Sequence, residues 1–431
     1  MLKKLVMKHV FTSAGILALS ATVLNAYDPE MTRQLTGRPW TVAATVRGFY
    51  DDNVATSPNR LEHDSFGIEV SPSAHLNLPL EQTFISLGYI YSLKWYEDRE
   101  PRNYDQSHEF NGKLRHQFGP KNDIGVDDSF VITSEPTIAD RFGIISTPTR
   151  LRTRSNITHN RGAIEFNTWF SQQIGLSLGY VNNWYDYEQE NTPGVIGSRS
   201  ALLDRIEHLF RADLRYQVNP SLVALVGYMF GINDYTGDDV IAIQPLTGRP
   251  LKSDFRDNYT HRVYVGADYD ITAKLRASAR VGGEFTDFHE SGENSANPYA
   301  DVSLTYVYMP GSTVDVGVRH TRNATDVSAV NPRNGRPTLD AETTVLYGQI
   351  THKITHNLTG SLIGQYQSST FNDGLNDDNG EDLFLVGINF EYRFNRHLSA
   401  EAGYNYDNLD SDIHGRSYDR NRVYVGLRAT Y

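Results

Sequence analysis

Between Phe384 and Phe394 every second residue is large and apolar: Phe384, Val386, Ile388, Phe390, Tyr392 and Phe394. Leu385, Gly387, Asn389, Glu391 and Arg393 fill the places between. A polar turn follows at Asn395-Arg396-His397, and then Leu398, Ala400, Ala402, Tyr404 and Tyr406 alternate with Ser399, Glu401, Gly403 and Asn405. The last run sets Val423, Val425, Leu427, Ala429 and Tyr431 against Arg422, Tyr424, Gly426, Arg428 and Thr430. A strict period of two means strands with chemically different faces. In a soluble sandwich the apolar faces would meet in a core. Here the polar faces carry Glu, Arg and Gly, and the apolar faces end in aromatics beside the turns. That division is expected of a transmembrane β-barrel, with lipid outside, water inside and aromatic girdles at the interfaces.

The unit recurs. The first strand is expected from about Trp40 to Tyr50, and its return strand from about Phe66 to Leu78. Short polar turns fall at Pro79-Leu80-Glu81-Gln82, Pro120-Lys121-Asn122, Ser171-Gln172-Gln173, Asn219-Pro220-Ser221, Thr272-Ala273-Lys274, Pro310-Gly311-Ser312, Thr355-His356-Asn357 and Asn395-Arg396-His397. Several share one pattern, as in Tyr216-Gln217-Val218-Asn219-Pro220-Ser221-Leu222 and Tyr392-Arg393-Phe394-Asn395-Arg396-His397-Leu398. Longer loops rich in Gly, Asn, Asp, Pro and Ser lie between, at about 98–106, 135–156, 190–201, 235–256, 290–296, 324–340, 372–382 and 407–420, besides the first. Short turns on one side and long loops on the other are the asymmetry of bacterial outer-membrane barrels. The pattern predicts an all-β chain: a single antiparallel up-and-down barrel over residues 38–431, with short periplasmic turns and long extracellular loops. About 18 strands fit, and 16 are compatible because residues 124–171 alternate poorly.

Composition alone does not choose, since 39% hydrophobic residues and a formal charge of -12 suit soluble chains as well. The absence of Cys excludes disulfides and thiolate metal sites, and the acidic balance argues against nucleic acid as a partner. The start of the chain decides more. Lys3, Lys4 and Lys8 precede the apolar run Ile16–Leu24, and Asn25-Ala26 leads into Tyr27-Asp28-Pro29-Glu30. This reads as a signal peptide over residues 1–26, followed by a periplasmic lead over 27–37. No stretch approaches the length of a membrane helix.

Tyr50-Asp51-Asp52-Asn53-Val54 closes the first strand, Ser71-Pro72-Ser73 lies on the next, and Leu87-Gly88-Tyr89 on the third. In these motifs the chain resembles the putative β-barrel porin type 2 family. The resemblance implies a porin-like barrel of the bacterial outer membrane with no defined substrate, some relatives of which are associated with exopolysaccharide export. It brings no site residues and no cofactor. Tyr431, an aromatic terminus in the outward register, resembles the signal that such barrels present to their assembly machinery, where Phe is usual.

The inward register carries the candidate chemistry. Arg211, Arg215, Arg262, Arg276, Arg280, Arg319, Arg393 and Arg428 are the expected pore-lining cations, with Lys113, Arg115 and Arg422. Glu284, Glu391 and Glu401 are the expected pore-lining acids, with Glu165, Glu207, Asp213, Asp268, Asp301 and Asp315 on the same faces. Two arrangements are open. Cross-strand ion pairs would stiffen a wide barrel by roughly 0.2–1 kcal/mol each. An arginine wall would select anions. The loop Asn376-Asp377-Asp378-Asn379-Gly380-Glu381-Asp382 has oxygen ligands for Ca²⁺ but lacks EF-hand spacing, so a solvated loop is the simpler reading and no metal is expected. The 14 His sit in no nucleophile motif, and no enzyme is expected.

These observations predict a channel for passive passage of small hydrophilic solutes, anionic ones if the arginines dominate. The alternatives are an exopolysaccharide export barrel working with periplasmic export proteins, and a structural or adhesive barrel without an open pore. The expected surroundings are outer-membrane lipid and lipopolysaccharide.

Overall fold

The alternation does set strands, and among the described residues eighteen of them form one closed sheet. A computed structural model of the chain describes residues 38–100, 102–134, 139–140, 143–144, 156–188, 196–236 and 239–431. The expected signal peptide and lead, and most of the loop at 135–156, lie outside these residues. The strands are β1 (Trp40–Asp51), β2 (Ser65–Pro79), β3 (Thr83–Tyr96), β4 (Tyr104–Gly119), β5 (Asn122–Thr133) and β6 (Ile157–Trp169). They continue with β7 (Ile174–Tyr187), β8 (Arg205–Asn219), β9 (Leu222–Asp234), β10 (Asn258–Thr272), β11 (Leu275–Phe288) and β12 (Glu293–Met309). The last are β13 (Ser312–Asn323), β14 (Asp340–Lys353), β15 (Leu358–Asn372), β16 (Gly380–Asn395), β17 (Leu398–Ser411) and β18 (Tyr418–Thr430).

Each strand pairs antiparallel with the next in sequence, and β18 returns to β1 in the register Ala43↔Thr430 to Asp51↔Arg422. Tyr431 prolongs this seam, its N–H donating to Val42 O at 2.8 Å and its O accepting from Val42 N–H at 3.1 Å. Closure leaves no strand edge in need of a partner. Sixteen strands would not account for the ladder, because β5 and β6 both pair along their length.

The recurrent turn motif has a local cause. Its Asn or Thr side chain accepts the N–H two residues on: Asn219 from Ser221 at 2.8 Å, Thr272 from Lys274 at 3.2 Å and Asn395 from His397 at 2.8 Å. Such a side-chain bond mimics a backbone turn and fixes where the hairpin reverses. At the opposite end two loops are shorter than their composition predicts. Glu293 and Asn294 pair with Phe288 and Asp287, and β17 and β18 run on to Ser411 and from Tyr418. Polar residues extend strands here, as expected where both faces of a barrel strand rise above its apolar band.

The two faces differ throughout. Val46, Ile68, Leu87, Phe110, Val226, Val265, Phe384 and Val425 are exposed on the outer face. Trp40, Phe118, Tyr216, Tyr269, Phe394 and Tyr431 gather near the turn end, and Phe66, Trp95, Tyr104, Trp184 and Tyr259 toward the loop end. This is the arrangement expected of the two interfacial girdles of a barrel in a bilayer.

Candidate functional site: the barrel lumen

Reading the ladder sideways gives the inner rows. One runs Gly179–Arg211–Met229–Arg262–Glu284–Asn297 across β7 to β12, and another Asp268–Ser278–Ser303–Gly317–Tyr347–Gln365 across β10 to β15. Arg211 reaches Glu165 on β6 at 2.8 Å and Asp213 at 3.6 Å. Arg262 reaches Glu284 at 2.9 Å, Arg280 reaches Asp268 at 3.2 Å and Arg319 reaches Asp301 at 3.2 Å. Arg215 lies over the Trp169 indole at 5.2 Å. These five arginines and their acids form one charged arc from β6 to β13, in which the two signs interleave.

The remaining predicted residues lie elsewhere on the inner register. Arg276 pairs with Asp270 at 2.7 Å next to the turn end, and there Arg393 stands 4.0 Å from Glu391. Glu391 faces Glu401, whose partner is Arg47 on β1. Arg428 faces Ser399 and Thr45. The arginines therefore do not form one ring. Between the charged regions, β14 and β15 carry a buried uncharged strip of Thr343, Gln349, Gln365, Gln367 and Ser369, tied by amide and hydroxyl contacts of 3.2–3.5 Å.

Inward aromatics lie flat on the wall where the facing strand offers glycine. A Cβ on Gly227 would meet the Tyr264 ring at 2.2 Å, and one on Gly403 the Tyr424 ring at 2.5 Å. The hydroxyls then donate sideways, Tyr264 to Asp213 and Tyr424 to Asn389, both at 2.6 Å. Glycine here keeps the rings from projecting across the lumen.

Residues that sequence reasoning missed matter at the loop end. Helix α1 (Arg199–Leu203), capped by Ser198, packs Ala201, Leu202 and Leu203 against Ile157, Tyr187, Ile241 and Ala242. The 235–256 loop forms a small ladder of 240–243 with 250–252 and a 3₁₀ turn at Ser253–Arg256. Arg256, fully buried, donates to the carbonyls of Leu202, Thr325, Val327 and Thr338. Burial pulls its guanidinium below the ordinary value, against neighbouring acids that raise it. One side chain thus binds three loops over the mouth. Beside it Arg416 joins Asp326 at 2.8 Å and Glu381. Glu381, a candidate Ca²⁺ ligand in the sequence, is thereby turned into the mouth.

Two carboxyls beneath the loops are perturbed. Burial pushes Asp204 up to about 7, although Tyr187 N–H donates to it at 2.7 Å. Burial pushes Asp257 up to about 6, with Asp234 and Asp254 adding to the rise and Tyr235 N–H donating at 2.8 Å. Among the described residues no group of three or more His, Asp and Glu could hold a metal ion. Arg161 was also missed. It faces the lumen from β6, across from Ser129 and Asn183, and interacts electrostatically with Arg319 on β13.

The fold and its inner face define the class: a porin-like β-barrel of 18 strands. The family model described as Putative beta-barrel porin 2 matches residues 341–431, from β14 to the chain end. The motifs at Tyr50–Val54 and Ser71–Ser73 lie outside the matched segment. No curated protein matches the chain. Solved structures of similar shape include the outer membrane protein OpdK from Pseudomonas aeruginosa, at 10% identity and a TM-score of 0.44, covering 91% of this chain and 99% of that one. Acinetobacter baumannii OccAB4 matches at 12% identity and 0.43, covering 91% and 98%. A BenF-like porin from Pseudomonas fluorescens matches at 10% and 0.45, covering 91% and 99%. At such identities and scores they say nothing of the solute.

Proposed function

We propose that the chain is an outer-membrane channel for passive passage of small hydrophilic solutes. One observation carries the reading: a closed ladder puts Val, Leu and Phe outside and Arg, Asp, Glu, Gln and Ser inside. Ionised groups facing acyl chains would cost about 2–4 kcal/mol each for Arg or Lys at mid-depth, whereas a wet lumen tolerates them. Eighteen strands enclose more space than side chains fill. The pairing of Arg211, Arg262, Arg280 and Arg319 with acids favours weak ion selectivity over a strong preference for anions.

The test is charge reversal. Replacing Arg276, Arg280 and Arg319 by Glu is expected to shift reversal potentials in a planar bilayer toward cations. Unchanged selectivity would remove these arginines from the permeation path. The second reading, export of a polysaccharide, draws on the uncharged Gln and Ser strip, which suits sugar hydroxyls. Slower single-channel current on adding a neutral oligosaccharide, abolished by Gln365→Leu with Gln367→Leu, would favour it.

A further inference from the structure

One outer row breaks the apolar band. Gly112, Asp128, Gly162, Asn182 and His208 stand side by side across β4 to β8, each paired with the next. None is apolar in side chain, and the row lies on the face that also carries Phe110, Ile164, Leu178 and Phe210. Asp128 is the critical member. It is exposed at the seventh of the twelve positions of β5, between outward Val126 and Phe130. Among the described strands, the other outward carboxylates sit within three residues of the loop end, as Asp186, Asp234, Asp287 and Asp410 do. Asn160 Nδ2 donates to Asp128 Oδ2 at 3.3 Å, and Tyr180 and Asn182 meet His208 Nδ1 at 2.8 and 3.4 Å. Beside the row a groove of about 550 Å³ opens over Ala74 and Gly112, walled by Leu76, Leu87 and Phe110 and reaching Asp128.

A carboxylate at this depth facing acyl chains has no water and no headgroup to meet it. We infer that this face of β4 to β8 is an interface with a second copy of the chain within the membrane. Three features point to that occupant. A copy in the same bilayer presents its polar row at the same depth. The row holds an acceptor in Asp128 and donors in Asn182 and His208, so it can satisfy itself across a symmetric contact. Five strands about 4.8 Å apart under an apolar band about 25 Å tall offer roughly 500–600 Å² per copy. Both sides together reach the roughly 1,000–1,200 Å² at which specific interfaces begin. Gly112 and Gly162 let the two surfaces approach closely.

The absence of natural cysteine makes the test direct. Asn182→Cys and, as a control on β10 outside this face, Val265→Cys are introduced singly into the full chain and oxidised in intact outer membranes. The expected result is a disulfide-linked dimer at 182 and none at 265, with an oligomeric mass for the unmodified chain by native mass spectrometry. Asp128→Leu is expected to weaken association about tenfold while the barrel still folds. A monomeric mass with no cross-link at 182 overturns the inference, as does a cross-link to a protein of different mass. So does Asp128→Leu that raises heat stability without changing the oligomeric mass, since lipid would then be what the row meets.

Discussion

Removing the Arg256 guanidinium would leave four loop carbonyls without their donor in a buried site. Each orphaned buried group costs about 1–3 kcal/mol, but the loss falls on the loops because the strand ladder does not depend on them. Arg256→Ala is therefore expected to expose 234–258 and 323–340 to external protease on intact cells while the barrel keeps its heat-modifiable mobility. Protection equal to the parent chain would contradict the staple. The acids below the loops add a pH dependence. Asp204 and Asp257 are raised to about 7 and about 6, above the unfolded carboxyl value near 4. A carboxyl raised on folding favours the packed state most when protonated, so its contribution is complete below the unfolded value and is lost as pH rises through 6 to 7. The loops should resist protease better at pH 5 than at pH 8, and Asp204→Asn should flatten that difference. Neither Arg256 nor Asp204 was legible in the sequence, since each owes its role to loops far apart in the chain.

Among the elements, the turns were legible because their chemistry is local. Asn219, Thr272 and Asn395 each close their own hairpin with a side-chain bond, so the repeat marks a geometry as well as a spacing. Strands were legible wherever lipid imposes one face and water the other. The segment from 124 to 171 alternated poorly because Asp128, Asn160 and Gly162 occupy outward places that apolar residues hold elsewhere. That irregularity lies in the outer surface, and the hydrogen-bonded register of β5 and β6 is regular. The inner register also explains why some glycines are fixed. A Cβ at Gly227 would come within 2.4 Å of Asp213 Oδ1 as well as striking the Tyr264 ring. Gly227→Ala is expected to displace that ring and destabilise the barrel by about 1–3 kcal/mol, read from urea unfolding in detergent micelles. An unchanged midpoint would mean that the ring moves away at no cost.

At the scale of the whole molecule, the closed sheet turns one alternation into two environments. The formal charge of -12 therefore does not describe the lumen, where arginines and acids interleave from β6 to β13. The inward side of each strand was readable from parity alone. Which charges pair, and that Arg276 and Arg393 lie apart from the arc, followed only from the stagger between strands. The loops tied by Arg256 sit at the loop end of this polar bore. Single-channel recording of the purified full chain in a planar bilayer tests the division of faces most directly. The expected result is stable, stepwise conductance in simple salt, with only a weak preference between anion and cation. A folded, inserted barrel that shows no conductance steps would contradict an open aqueous lumen.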